Sequence, residues 1–232
     1  MPNRFPFTRR RMLQTMAAAL AAPCAMPAGA ADPLKIGLIL PLTGPFASTG
    51  RQIEAACRLY MQRNGDTVAG HKIALVVKDD TGVAPETTKR IAQELVTRDK
   101  ADILTGFLLT PNAMAAGDIS AEAKKFMVVM NAATSAVVTK SPYMVRTSFT
   151  VPQLNRTLGT WAAKHGVEKA YTMVTDYGPG HDAEASFKKG LTAAGGNVVG
   201  GVRIPVANPD FSAFVQRAKD LKPQGIDRKS VV

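Results

Sequence analysis

Residues 34–52 read LKIGLILPLTGPFASTGRQ, and the order of residue types in this stretch decides the fold. The apolar run Ile36, Leu38, Ile39, Leu40 is too short and too rich in branched residues for a helix, so it predicts a strand buried on both faces. Pro41, Gly44, Pro45 and Gly50 then break the chain into a loop with Ser48 and Thr49 at its end. Ile53, Ala56, Cys57, Tyr60 and Met61 follow at helical spacing. A strand, a Gly/Pro loop and a helix in this order aim the helix N-terminus at the strand's carboxyl end, where ligands bind in open α/β sheets. A phosphate loop is excluded: it needs four residues between its glycines and then Lys-Ser/Thr, whereas five separate Gly44 from Gly50, and Arg51-Gln52 follow.

The pattern continues outward. Residues 72–78 (KIALVVK) predict a second strand ending on Asp79-Asp80, two carboxylates that shape the turn Asp80-Thr81-Gly82 and favour nearby helix starts. Pro85-Glu86 opens a helix with Thr88, Ile91, Ala92, Leu95 and Val96 on its inner face. A third strand, 102–109, runs into Thr110-Pro111-Asn112-Ala113, where Thr110 or Asn112 can cap the following helix. A fourth, 126–130, ends at Asn131-Ala132-Ala133-Thr134-Ser135, so hydroxyl and amide residues reach the same sheet edge twice. Residues 141–149 read as an extended crossing segment. A second α/β lobe follows, with a helix marked by Leu154, Leu158, Trp161 and Ala162, strands over 169–175 and 197–204, and a helix carrying Ala183, Phe187, Leu191 and Ala194. Its first strand ends at Asp176-Tyr177-Gly178-Pro179-Gly180, again a Gly/Pro loop into a helix.

Taken in order, PLTGPFASTGRQ after the first strand, Lys78-Asp79-Asp80 before an Ala-Pro-Glu helix start, and Asp176-Tyr177-Gly178 after a later strand resemble the leucine/isoleucine/valine-binding type of periplasmic solute receptor, over about Pro33 to Pro223. The resemblance implies a two-lobed α/β periplasmic-binding-protein fold with parallel sheets flanked by helices, lobes at 32–149 and 150–226, the second incomplete. It implies ligand contacts from Thr110, Asn112, Ala133, Thr134 and Ser135, with Tyr177 closing over the ligand. Thr49 stands where some members carry a large aromatic, which alters the pocket floor. The implied activity is that of an ABC-importer receptor that delivers an amino acid or related small carboxylate to a permease in the inner membrane. The implied receptor is monomeric, with no cofactor and no nucleic-acid partner. A ligand-sensing module of a regulator or chemoreceptor is the alternative on the same fold.

Residues 1–30 carry four arginines and no acidic residue, then Met16-Ala-Ala-Ala-Leu-Ala-Ala22 and Ala28-Gly29-Ala30, which predicts a signal peptide cleaved near Ala30/Ala31 and a periplasmic location. Thr8-Arg9-Arg10-Arg11-Met12-Leu13-Gln14 resembles the twin-arginine pattern; an ordinary Sec leader is the alternative. The formal charge of +11 falls by those four arginines on cleavage, and the remaining cations are spread along helices without a block, which argues against nucleic-acid binding. No nucleophile elbow and no Cys/His metal spacing is present, and His71, His165 and His181 are scattered, so catalysis is not expected. Cys57 is the one cysteine outside the leader and reads as a packing residue. At the carboxyl end, Phe211, Phe214, Val215, Ala218 and Leu221 predict a helix, but Gln224-Gly225-Ile226 and Asp227-Arg228-Lys229-Ser230-Val231-Val232 do not read as the apolar strand that should follow. The last six residues match one frame of a common sequencing adapter, and the expectation is that the natural protein continues beyond them.

Overall fold

The computed structural model describes residues 31–206 and 211–229. The expected leader, residues 1–30, and residues 230–232 of the expected adapter segment lie outside them. The first sheet has the order β2-β3-β1-β4-β5-β6, with β1 (Ala31–Leu40) inside it between β3 (His71–Asp79) and β4 (Ile103–Gly106). β5 (Phe126–Val129) and β6 (Met144–Arg146) extend it in parallel, and short β2 (Thr67–Val68) pairs antiparallel at the β3 edge. The sheet's growth reverses at β1: the chain steps out to β3, then back across β1 to β4. Right-handed crossovers therefore put α1 (Ala47–Asn64) on one face and α2 (Pro85–Thr97) with α3 (Thr110–Ala123) on the other.

The core explains the arrangement. Ile39, Leu104, Met127, Val129 and Met144 point to one face and meet Ile91, Ala92 and Leu95 of α2 and Ala113, Ala116 and Ile119 of α3. Those helix positions recur at three- and four-residue spacing, as an amphipathic stripe must. The α1 face is covered over β1, where Leu38 and Leu40 are fully buried, but open at its β5–β6 end: Phe126 and Val145 are 44% and 41% exposed, and on α1 itself Leu59 and Tyr60 are 46% and 69% exposed. Tyr60 and Ala56, expected on an inner face, are thus open to solvent among the described residues.

The second sheet, β8-β7-β9, is wholly parallel. Its central strand β7 (Lys169–Thr175) packs Tyr171 and Met173 with Val202 and Ile204 of β8 (Asn197–Ile204) against α6 (Ser212–Asp220) on one face. Ala170, facing the other way, meets Ala162 of α4 (Val151–Lys164) and Phe187 and Leu191 of α5 (Gly178–Ala193). The α4–α5 crossing is close because Gly159 and Gly190 present no side chain; a Cβ on either would overlap a carbonyl oxygen of the opposite helix.

Three expectations are corrected. Residues 144–146 are not a crossing segment but β6, hydrogen-bonded to β5, and the chain passes between the sheets at 147–150. β4 stops at Gly106 rather than running to Leu109, because Gly106 and Phe107 take positive φ (107° and 63°) and turn the chain out of the sheet. Gly225–Lys229 does form a strand, β9, paired with β7 in register Ile226↔Tyr171. Its backbone completes the edge of β7 whatever its side chains, which is why an apolar pattern was not needed.

Candidate functional site

Three chain segments converge where the two sheets face each other: the turn after β4, the loop after β5 and the start of α5. Phe107 sits fully buried in the left-handed region, its N–H donating to Ile39 O at 2.9 Å and its carbonyl accepting Ala132 N–H at 3.1 Å. A bulky residue at positive φ is held only where neighbours over-determine it. Here it ties the two loops together and delivers Leu108, Leu109 and Thr110 to the sheet edge.

Thr110 opens α3, but neither Thr110 nor Asn112 caps it; the N-cap position is Leu109, with no side-chain cap. The Thr110 hydroxyl instead meets the Thr134 hydroxyl at 2.7 Å, both residues being buried. Arg146 Nη1 donates to Thr134 O at 2.7 Å and fixes that loop from the end of β6. On the second lobe, Gly178 faces this pair: a Cβ there would lie 3.4 Å from Thr134 Cγ2 and 3.7 Å from Thr110 Cγ2. Gly180, two residues further, lies so near the end of β7 that a Cβ would overlap the Thr175 carbonyl oxygen, just as Gly50 in α1 lies against Pro41 O. Each lobe uses a helical glycine to bring a helix start down onto a strand end.

Between these parts lies a small cavity of about 30 Å³, lined among others by Leu108, Leu109, Thr110, Ala133, Phe149 and Tyr177. Tyr177 is half-buried, and burial pushes its phenol above the ordinary tyrosine value, so it is neutral and a donor at neutral pH. Of the residues implied by the resemblance, Thr110, Ala133 and Tyr177 line this cavity, and Thr134 is bonded to its wall. The other three are placed elsewhere. Asn112 is fully buried and spends its amide inside the first lobe, donating to Asp80 Oδ2 (2.7 Å) and Gly82 O (2.6 Å) and accepting from Ala84 N–H (3.1 Å). Ser135 is engaged by Asp182 of α5. Thr49, in the first turn of α1, does not line the cavity.

The two carboxylates after β3 differ. Asp79 accepts Leu42 N–H (2.8 Å), the Thr43 hydroxyl (2.7 Å) and Thr81 N–H (2.8 Å), the turn-shaping role expected of it. Burial pushes its carboxyl up, but the bonds from Thr43, Leu42 and Thr81 outweigh this and hold it below the ordinary aspartate value. Asp80 is fully buried, and burial raises its carboxyl despite the Asn112 bond. Neither Asp79 nor Asp80 lines the cavity. Among the described residues, no group of three or more metal-ligating side chains gathers. The reading of the residues missed Leu108, Leu109, Phe149 and Asp182; only Phe149, an aromatic at the passage into the second lobe, carried a usable signal.

Comparison with known proteins agrees with this geometry. Residues 33–226 match the periplasmic binding protein family. The Leu/Ile/Val-binding protein homolog 6 of Brucella abortus is 45% identical over 196 residues, covering 84% of this chain and 50% of the relative. A solute-binding protein of an ABC transporter from Rhodopseudomonas palustris BisB5, solved with 3,4-dihydroxybenzoic acid, superposes with a TM-score of 0.81 at 49% identity over 84% of this chain and 54% of its own. Another from R. palustris, solved with 4-hydroxybenzoate, gives 0.83 at 41% identity over 86% and 54%. The chain thus spans about half the length of these relatives. With a family match across nearly all its described residues, two mostly parallel sheets flanked by helices and a cavity between them, the chain belongs to the periplasmic binding protein family.

Proposed function

We propose that the whole protein is an exported solute receptor of an ABC importer that closes its two lobes on a small aromatic carboxylate and presents it to a membrane permease. The observation that carries this reading is the Thr110–Thr134 hydroxyl pair in the wall of an interlobe cavity that also holds Phe149 and Tyr177. Hydroxyls beside helix-start N–H groups suit a carboxylate. Phe149, Tyr177, Leu108 and Leu109 suit a flat apolar ring, with the neutral Tyr177 phenol as a donor. The benzoate-class ligands of the relatives at 49% and 41% identity support the same class.

An aliphatic amino acid is the second reading, favoured by the Leu/Ile/Val-binding name of the Brucella relative. The basic, acid-free leader supports export, in line with the family. Titration calorimetry of the full-length protein with benzoate, 4-hydroxybenzoate, 3,4-dihydroxybenzoate, leucine and phenylalanine tests the ligand class. Heat from the benzoates alone is expected; tight leucine binding with none for benzoates would overturn it.

A further inference from the structure

Asp182 lies in the second turn of α5, yet its carboxylate is bonded to the other lobe. Oδ2 accepts the Ser135 backbone N–H at 2.7 Å and Oδ1 accepts the Ser135 hydroxyl at 3.2 Å. The contact has an apolar neighbour: Ala133 from the same loop, Val151 at the start of α4 and Ala183 beside Asp182 form one buried cluster. Neither Ser135 nor Asp182 lines the ligand cavity. Thr134, one residue before Ser135, is bonded to Thr110 in the cavity wall.

On the reading of the cleft proposed above, we propose that Asp182 is an interlobe latch: a positioning residue that holds the Thr134 loop against α5 in the closed protein without touching the ligand. Both of its bonds join atoms of different lobes, so both are lost when the lobes part, and they favour the closed form alone. They are charge-assisted, which strengthens them, and partly solvated, which weakens them. Release of a trapped ligand requires opening, so the latch acts on the release rate whatever the resting balance of open and closed forms. Its charge makes the assignment testable by sign. A carboxylate acting through the field at an anionic ligand would weaken binding, and neutralising it would tighten binding. A latch does the opposite.

The test uses the full-length protein with Cys57→Ser and with dyes on Lys89→Cys in α2 and Lys188→Cys in α5. Single-molecule energy transfer without ligand should show Asp182→Ala shifted to wider lobe separation, with Asp182→Asn, which keeps one acceptor and the side chain's shape, between it and the parent. Stopped-flow release of 4-hydroxybenzoate should be about three- to tenfold faster in Asp182→Ala. Adding Ser135→Ala to Asp182→Ala should change neither readout further. An unchanged lobe separation in Asp182→Ala, or tighter binding in Asp182→Asn, would overturn the latch. The ligand-free arm separates the two proposals: a shifted separation in a protein that ignores 4-hydroxybenzoate upholds the latch and sinks the aromatic ligand class.

Discussion

The Thr110 and Thr134 side-chain oxygens lie 2.7 Å apart although 24 positions separate them in the chain. One opens α3 and the other ends the loop after β5, so adjacent parallel strands β4 and β5 bring them together at one sheet edge. On the proposed reading, a carboxylate arriving there would replace a neutral hydroxyl pair with charge-assisted bonds.

Thr134→Val keeps the side chain's shape and removes its hydroxyl. A hydrogen bond to a charged group contributes about 1.5–3 kcal/mol, so affinity for the carboxylate ligand should fall roughly ten- to 150-fold. Calorimetry on Thr134→Val and Thr134→Ser decides; a Ser variant no better than Val would mean that the hydroxyl is not the contact.

In the proposed cleft Tyr177 would offer the ligand a ring and a phenol. Tyr177→Ala should speed ligand release by about tenfold or more through lost ring contact, while Tyr177→Phe separates ring from hydroxyl. A Phe variant that binds benzoate normally but discriminates less between benzoate and 4-hydroxybenzoate is the expected result, measured by competition.

Asn112 should behave as a structural residue. Its amide links Asp80, Gly82 and Ala84, so Asn112→Ala removes the 2.7 Å donor of a buried carboxylate, leaving it the longer Thr88 hydroxyl bond (3.4 Å) and the Gly82 N–H, and should cost about 1–3 kcal/mol of stability. Urea unfolding should show that loss, with ligand affinity of the folded fraction changed less than threefold; a large affinity loss at unchanged stability would return Asn112 to the ligand site.

Asp79 supplies a pH-dependent contribution. Its carboxyl sits below the ordinary aspartate value because hydrogen bonds from Thr43, Leu42 and Thr81 overcome burial. Between the folded and unfolded values the native protein therefore binds fewer protons, and stability rises with pH. The contribution is fully present above the ordinary value, about 3.9, and is lost as pH falls through the lowered one. Asp79→Asn should cost about 1 kcal/mol at pH 7, a figure kept small for solvent screening, and nearly nothing at the acid end. Melting curves from pH 7 down to pH 2 would show it, and a cost independent of pH would refute the assignment.

The open β5–β6 end of the first sheet predicts behaviour of the isolated segment. Residues 31–229 expressed alone should bind the dye ANS and associate, since Phe126, Val145, Leu59 and Tyr60 form apolar surface without cover among the described residues. Phe126→Ser with Val145→Ser should lower dye fluorescence; no binding by the parent segment would show that the face is covered in solution.

Residues 34–52 alone determined the strand, loop and helix that begin the fold, and the alternation of apolar runs with Gly/Pro loops determined a parallel α/β chain in two parts. These are local signals: burial of branched side chains and the turn chemistry of Gly and Pro act within a few residues. The loops that carry Thr110, Ala133, Thr134 and Tyr177 were legible for the same reason, since parallel strands end on a common edge. What each polar side chain does there was decided by tertiary structure. Asn112 turned to Asp80, Ser135 to Asp182 and Thr110 to Thr134, because a donor takes the acceptor that long-range packing brings within reach, here 2.7 to 3.2 Å. β9 formed from a polar sequence for a related reason: the edge of β7 offered backbone partners that no pattern in residues 225–229 announces.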